Sequence, residues 1–273
     1  MILQVNENVI GELADLWRQG FDDPPEYIDM FLQEFARNSL VFISGEVGHI
    51  TCAAYLIPCE ITGLEKPAYY GYAATVLPSE RRHGVFKQVL KEIFDYLRQT
   101  DSVLIQVPAP GLEDYYRKIG FTDFSKRKVL YFCKPDGVCN SDASILSITA
   151  DEYFNMRNSF FSTNGFVKWS RKYVNYAINE SEFCNNICCK LKYGSGEYLI
   201  NAERRDNSLI INECTIPAQS LEQYSGFIMR FFGVEKITAY YPESAPVNAQ
   251  AQIHALSFGV DYMPGAWLGL TML

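Results

Sequence analysis

The chain has no Cys-x-x-Cys pair, only three histidines (His49, His83 and His254), and no uninterrupted apolar run near the roughly 20 residues that a bilayer-spanning helix needs. Its eight cysteines, Cys52, Cys59, Cys133, Cys139, Cys184, Cys188, Cys189 and Cys214, lie mostly in apolar runs and read as buried, reduced thiols. Only Cys184, Cys188 and Cys189 cluster, and with no histidine close to them in the sequence neither a zinc site nor any other metal is expected. A basic face is also missing. The 24 Lys and Arg against 32 Asp and Glu leave a net charge of −8, which argues against nucleic acid as a partner and favours cationic or amine ligands. No basic stretch followed by an apolar run opens the chain, which begins MILQVNENVI, so a soluble cytoplasmic protein without membrane attachment is expected.

What is present is ample core material: 273 residues, 48% hydrophobic and 14% aromatic, enough for one large or two modest domains. Ile10, Leu13 and Trp17, then Ile28, Phe31 and Phe35, carry helical spacing on either side of the Asp22-Asp23-Pro24-Pro25 breaker. Two β-rich runs follow around Ser44-Gly45-Glu46, a hairpin signal, and a third strand is expected over 68–76. Val85, Phe86, Val89, Leu90, Ile93, Phe94 and Leu97 form one apolar stripe, predicting a helix after Gly84. The run 102–108 reads as a buried strand parallel to 68–76 through a right-handed crossover. A short helix over 112–119 stops at Gly120, the run 129–133 is expected to close the sheet, and 136–144 reads as a linker.

The second half repeats this plan. A hairpin around Gly194-Ser195-Gly196 is followed by a strand over 209–216 ending at Pro217, a helix over 221–232, and a strand over 237–241 ending at Pro242. KIGFTDF (118–124) is answered by SFGVDY (257–262), and KVLYFC by the C-terminal AWLGLTML. The fold class is therefore α/β, two tandem units with mixed sheets, over residues 1–137 and 145–273. The basic, aromatic stretch FVKWSRKYVNYA (166–177) reads as a helix with Phe166, Trp169, Tyr173 and Tyr176 in the core and Lys168, Arg171 and Lys172 solvated.

Chemistry concentrates in TVLPSERRHGVFKQVL, residues 75–90. Where a strand hands over to a helix through a short loop, the helix's first N–H groups lack intrahelical partners and form an anion site. Gly84 permits close backbone approach, and Arg81 and Arg82 add charge, so the stretch reads as a pyrophosphate cradle.

Arg81, Arg82, His83, Gly84, Val85, Phe86 is similar to the acetyl-CoA signature of the GNAT superfamily of N-acetyltransferases: Arg or Gln, two residues, Gly, any residue, then Gly or Ala. Phe86 departs from it at the final small residue. YYRKIGF (115–121) independently resembles the family's Leu-Tyr-x-Lys-x-Gly-Phe block. The resemblance, to GNAT proteins of the tandem type, implies several roles. Backbone N–H groups from His83 through Val85, Phe86 and Lys87 would hold the pyrophosphate, and the strand end at Ala74, Thr75 and Val76 would pair with pantetheine. Tyr116 would be the general acid that protonates the departing CoA thiolate after direct attack by a primary amine in a ternary complex.

In the second copy TIPAQSLEQYSGF has no arginine before its helix, and aligning Gly259 with Gly120 puts Ala255 opposite Tyr116, so this copy reads as degenerate, a scaffold and substrate wall. Among carboxylates, Glu80 reads as solvated, Glu60 and Glu65 flank a turn, and Glu213, inside an apolar strand, is the candidate base, against a structural ion pair. The Leu273 carboxylate at the end of an apolar strand is a further candidate. Tyr69, Tyr70 and Tyr72 could offer π surface to an amine, or serve sheet packing. The acceptor is expected to be a small-molecule or peptide amine, and a homo-oligomer is left open. Transfer of another acyl or aminoacyl group, or a non-catalytic CoA-binding sensor or scaffold, are the alternatives.

Overall fold

The computed structural model describes the chain apart from residues 4, 35, 134–142 and 271–273. Phe35, Cys139, Leu273 with its carboxylate, and most of the expected linker therefore lie outside the described residues. In chain order the first half comprises β1 (Ile2–Leu3), α1 (Glu7–Gly20), α2 (Pro25–Glu34), β2 (Leu40–Glu46), β3 (His49–Ile61), β4 (Ala68–Val76), α3 (Val85–Gln99), β5 (Val103–Gln106), α4 (Glu113–Lys118) and β6 (Thr122–Cys133). The second half comprises β7 (Ala143–Leu146), α5 (Ala150–Phe160), β8 (Val167–Lys168), α6 (Arg171–Phe183), β9 (Ile187–Tyr193), β10 (Gly196–Arg205), β11 (Ser208–Cys214), α7 (Leu221–Phe232), β12 (Lys236–Pro242) and β13 (Ala251–Phe258). Two compact units result: unit 1 is Met1–Phe124 with Ala255–Tyr262, and unit 2 is Ser125–His254 with Met263–Leu273.

In unit 1, β2, β3 and β4 form an antiparallel meander and β5 joins β4 in parallel. β3 is buried without a break from Ile50 to Ile57 because both of its faces are covered. Tyr55 meets Trp17 of α1 and Phe31 of α2, while Cys52, Ala54 and Leu56 pack with α3. The predicted stripe on α3 is real: Val89, Leu90, Ile93, Phe94 and Leu97 are buried, each contributing at most about 1.5–3 kcal/mol. Unit 2 repeats the plan with the β9–β10 hairpin, antiparallel β11, helix α7, and β12 parallel to β11. Its core joins Leu191, Ile200, Ile211 and Ile237 to Leu221 and Ile228 of α7.

Several expectations shift. The first hairpin turns at Val47-Gly48, since Glu46 pairs with His49; Gly45 (φ +94°) instead marks a register slip within the ladder. α6 starts only at Arg171, with Ser170 capping the Tyr173 N–H, so Phe166 and Trp169 precede it, though all four aromatics are buried and Lys168, Arg171 and Lys172 are exposed. The expected closing strand at 129–133 does not serve the first sheet. Arg127–Cys133 pair with β12 in unit 2, and β5 pairs instead with Leu256–Phe258. Side chains explain the choice: Phe258 stacks on Phe94 at 4.1 Å in unit 1, whereas Leu130 and Phe132 join the unit 2 core. β13 thus occupies the place in the repeat that β6 holds in the first half, and Ala255, fully buried in it, is not a topological match for Tyr116. Residues 266–270 form no strand either: Trp267 makes one bridge to Phe166, and Gly265 and Gly269 take left-handed φ of +79° and +60°.

Candidate active site

β4 is paired with β3 along its length to Val76, but its pairing with β5 covers only Ala68–Tyr70, opposite Val103–Ile105. Beyond Tyr70 the β5-facing edge of β4, Gly71 to Val76, pairs with no strand among the described residues, while β5 itself ends at Gln106. An open strand edge offers N–H and C=O groups to an extended ligand, as the expectation for Ala74, Thr75 and Val76 requires. Ala73 has φ +47°, and the β3–β4 register slips beside it, so the strand bends where this edge opens. Ala74 is exposed, Thr75 is buried with Oγ1 donating to the Ala73 carbonyl, and Val76 is half-buried.

β4 runs into a 3-10 turn at Pro78–Glu80 and then the exposed loop Arg81–Gly84. Gly84 caps α3 at φ +81°, and the first helical bond runs from the Gln88 N–H to the Gly84 carbonyl at 3.1 Å, so the Val85, Phe86 and Lys87 N–H groups have no partner inside the helix. A Cβ at residue 84 would meet nothing within 4 Å: glycine is needed there for its backbone, on a side facing open space.

The two arginines divide their work. Arg81 is a strut, its Nε donating to the Val76 carbonyl at 3.2 Å and its Nη2 to the Gln19 carbonyl at 3.4 Å. Arg82 is exposed, has φ +68°, and makes no ion pair among the described residues. The His83 N–H closes onto the Glu80 carbonyl at 3.4 Å, which removes it from the expected donor set, and its ring lies 3.8 Å from the Glu80 carboxylate. Phe86 is half-buried against the α3 core, so its ring leaves the loop open.

Tyr116 sits on α4, half-buried, its ring 5.3 Å from Phe121 in edge-to-face contact. Burial raises its pKa; the nearby Gln106 side chain opposes the rise, and the neighbouring Tyr115 adds to it. Gln106 is the residue that sequence reasoning missed. It is buried at the end of β5 and fits because residue 71 is glycine: a Cβ there would lie 3.3 Å from Gln106 Oε1. Its only signal was a polar residue closing an apolar strand run. Of the tyrosines on β4, Tyr69 pairs with Tyr96 of α3, while Tyr70 stacks on Tyr72, whose hydroxyl meets that of Tyr27 at 2.9 Å.

Residues 2–123 match the family model of the acetyltransferase (GNAT) domain. Over that stretch, under half of the chain, the sequence is similar to the GNAT acetyltransferase domain. No curated protein matches the sequence. Among solved structures, a conserved protein of Enterococcus faecalis V583 is similar with a TM-score of 0.72 at 14% identity, over 94% of this chain and 72% of that one. A GCN5-related N-acetyltransferase from Anabaena variabilis gives 0.65 at 14% identity, over 94% and 72%. A tandem GNAT protein from the clavulanic acid biosynthesis pathway gives 0.53 at 11% identity, over 94% and 97%, so the GNAT fold extends through the second unit.

Outside the GNAT domain, Glu213 lies in unit 2 with no exposed surface. Its Oε1 accepts from Tyr153 Oη and Arg157 Nε, both at 2.9 Å, and its Oε2 from Trp267 Nε1 at 3.0 Å and again from Arg157 Nε at 3.1 Å. Arg157 also donates to the Val167 and Leu268 carbonyls, so the carboxylate is enclosed and saturated. The structural ion pair, not a base facing a cleft, is what the geometry shows, and burial followed by the Glu213 charge keeps the Tyr153 phenol neutral. A Cβ at residue 269 would fall 1.5 Å from Glu213 Oε2, so Gly269 is what lets the C-terminal segment close over the pair.

At the ends of β11 and β12 a cavity of about 280 Å³ lined by Phe161, Pro217, Ala218, Pro242 and Ala245 has no charged residue in its wall, and so no counterpart of Arg82. Among the described residues no group of three His, Cys, Asp or Glu could hold a metal, and burial pushes the Cys189 thiol up to about 12. No described helix is long and apolar enough to cross a membrane.

Proposed function

We propose that the protein transfers an acetyl group from acetyl-CoA to a primary amine, carried by a small molecule or peptide, by direct attack in a ternary complex. The observation that carries this reading is the succession of two open backbone features: the unpaired edge of β4 leads, through the short turn and loop of residues 77–84, to the unpaired first turn of α3. An extended pantetheine arm suits the first and a pyrophosphate the second. Acetyl-CoA would supply the activated thioester, with the new N–C bond replacing its C–S bond. The Val85, Phe86 and Lys87 N–H groups and the free Arg82 guanidinium bind the anionic end, while Arg81 fixes the loop to β4 and α1. Tyr116 gives the proton at Oη to the leaving thiolate, and the proton that the amine loses in becoming the amide returns through solvent to that phenolate. A free phenol (pKa about 10) gives up a proton to a thiolate (about 8.5) only uphill, so the Gln106 amide beside Tyr116 matters: it favours the phenolate that forms, against the burial that disfavours it.

The test is free-thiol release from acetyl-CoA with a panel of polyamines, aminoglycosides, amino acids and peptides. Tyr116→Phe is expected to lower turnover by roughly 100-fold or more while leaving acetyl-CoA affinity within about twofold. Arg82→Ala is expected to weaken binding in a salt-dependent manner. Acetyl-CoA that fails to bind at all, or a Tyr116→Phe enzyme with an unchanged rate, would refute the respective half of the proposal.

A further inference from the structure

Among the described residues of unit 2, the buried atoms Ser125 Oγ, Arg127 Nε and His254 Nδ1 have no hydrogen-bond partner. Ser125 and Arg127 are two residues apart on β6 and so share a face of the strand. The Arg127 guanidinium lies over the Tyr240 ring, 3.7 Å from its centre, and Tyr240 packs with Phe161, Phe166 and Trp267. The His254 ring is 6.2 Å from that of Trp267 and close enough to Arg127 for the guanidinium to help keep it neutral. One aromatic group therefore gathers all of Arg127, Tyr240, Trp267 and His254.

Unit 2's fully buried guanidinium, Arg157, is compensated by Glu213 and two carbonyls, whereas Arg127 is half-buried. Arg127 has no carboxylate among the described residues, and burial alone lowers its pKa against the weak opposing pull of Tyr240 and Tyr131. A half-buried cation without a counter-ion is disfavoured, and the buried, unpaired Nε adds to the cost. In a chain with an excess of acidic residues, a partner carboxylate was easy to place, and none is there.

We propose that Arg127, Ser125 and His254 form a binding site for the carboxylate group of a small ligand. One guanidinium beside a neutral imidazole balances one negative charge, which suits a carboxylate and leaves a phosphate dianion half uncompensated. The Ser125 hydroxyl donates to a carboxylate oxygen, the guanidinium donates from its planar edge, and the aromatic wall accepts an apolar body.

The experiment uses the full chain, its Arg127→Met variant, and benzoate, acetate, uncharged benzamide and inorganic phosphate as probes, read by thermal unfolding and calorimetry. Without ligand, Arg127→Met is expected to melt higher than wild type, since it removes a half-buried charge without a counter-ion and its buried, unpaired Nε. Benzoate and acetate are expected to raise the wild-type Tm, benzamide is not, and carboxylate affinity falls at least tenfold in the variant. Ser125→Ala, which leaves the charge in place and removes one donor, is expected to weaken benzoate by about fivefold. Carboxylates that leave the wild type unmoved, that stabilise wild type and Arg127→Met equally, or that are outdone by phosphate would overturn the assignment. So would an Arg127→Met protein that melts lower than wild type, because the guanidinium would then be a structural partner of Tyr240.

Discussion

His254 is 8% exposed, and burial, with a smaller contribution from Arg127, lowers its pKa from 6.5 to about 3. The sign of the consequence follows from which state takes up the proton. Below pH 6.5 the unfolded chain protonates this imidazole and the folded chain does not, so stability is present above 6.5 and lost as pH falls toward 3. At pH 5 the loss is about 2 kcal/mol, one and a half pH intervals at about 1.4 kcal/mol each. His254→Gln, which cannot titrate, is therefore expected to show a shallower fall of denaturant midpoint between pH 7 and pH 5 than wild type, in ligand-free buffer. Parallel curves for the two proteins would show that the imidazole takes up its proton in the folded state. Arg127, the charged partner that adds to this behaviour, lies on β6 more than a hundred residues before His254 in the chain, and nothing in the local sequence around His254 announces it. The same is true of Glu213: an isolated carboxylate in an apolar run shows that a partner must exist, but Tyr153, Arg157 and Trp267 come from three other segments.

Elements whose identity rests on local periodicity were legible. α3 follows from its apolar stripe, β4 from its β-branched and aromatic run, and the loop between them from a glycine that has to adopt a positive φ. The division of labour between Arg81 and Arg82 was not, because it depends on the Gln19 carbonyl of α1 reaching the loop. Gly84→Ala tests the element as a unit. With open space around the added methyl, only the left-handed backbone is penalised, by about 1–2 kcal/mol. If the loop holds φ +81° the variant loses that much stability; if it relaxes, the α3 N–H groups turn away. Acetyl-CoA affinity is expected to fall tenfold or more in calorimetry, with α3 intact by circular dichroism. Unchanged affinity would remove the first turn of α3 from the binding site.

At the scale of the molecule, the repeat was visible in the order of elements, but the pairing of its last strands was not. Chain proximity puts 129–133 beside β5; the fold puts Leu256–Phe258 there and sends Arg127–Cys133 to β12. Either strand could close either sheet by backbone hydrogen bonds alone, so the decision falls to side chains, and the rings of Phe94 and Phe258 stacked at 4.1 Å have no equivalent in the local alternative. This arrangement makes a prediction about half-chains. A protein ending at residue 133 retains every element of unit 1 except the β13 segment, leaving β5 with an open edge and the core without Leu256 and Phe258. Leu256 is fully buried and Phe258 partly so, and their burial is worth at most about 3–6 kcal/mol, a large share of the roughly 5–15 kcal/mol by which a domain is ordinarily stable. Residues 1–133 alone are therefore expected to unfold without a cooperative transition or to precipitate, and co-expression with residues 143–273 to restore a soluble complex with a single sharp melting curve. A 1–133 fragment that melts cooperatively on its own would mean that β6 can fold back onto β5. The exchange of strands would then be one of two packings open to this sequence, with the stacked phenylalanines deciding between them only when both halves are present.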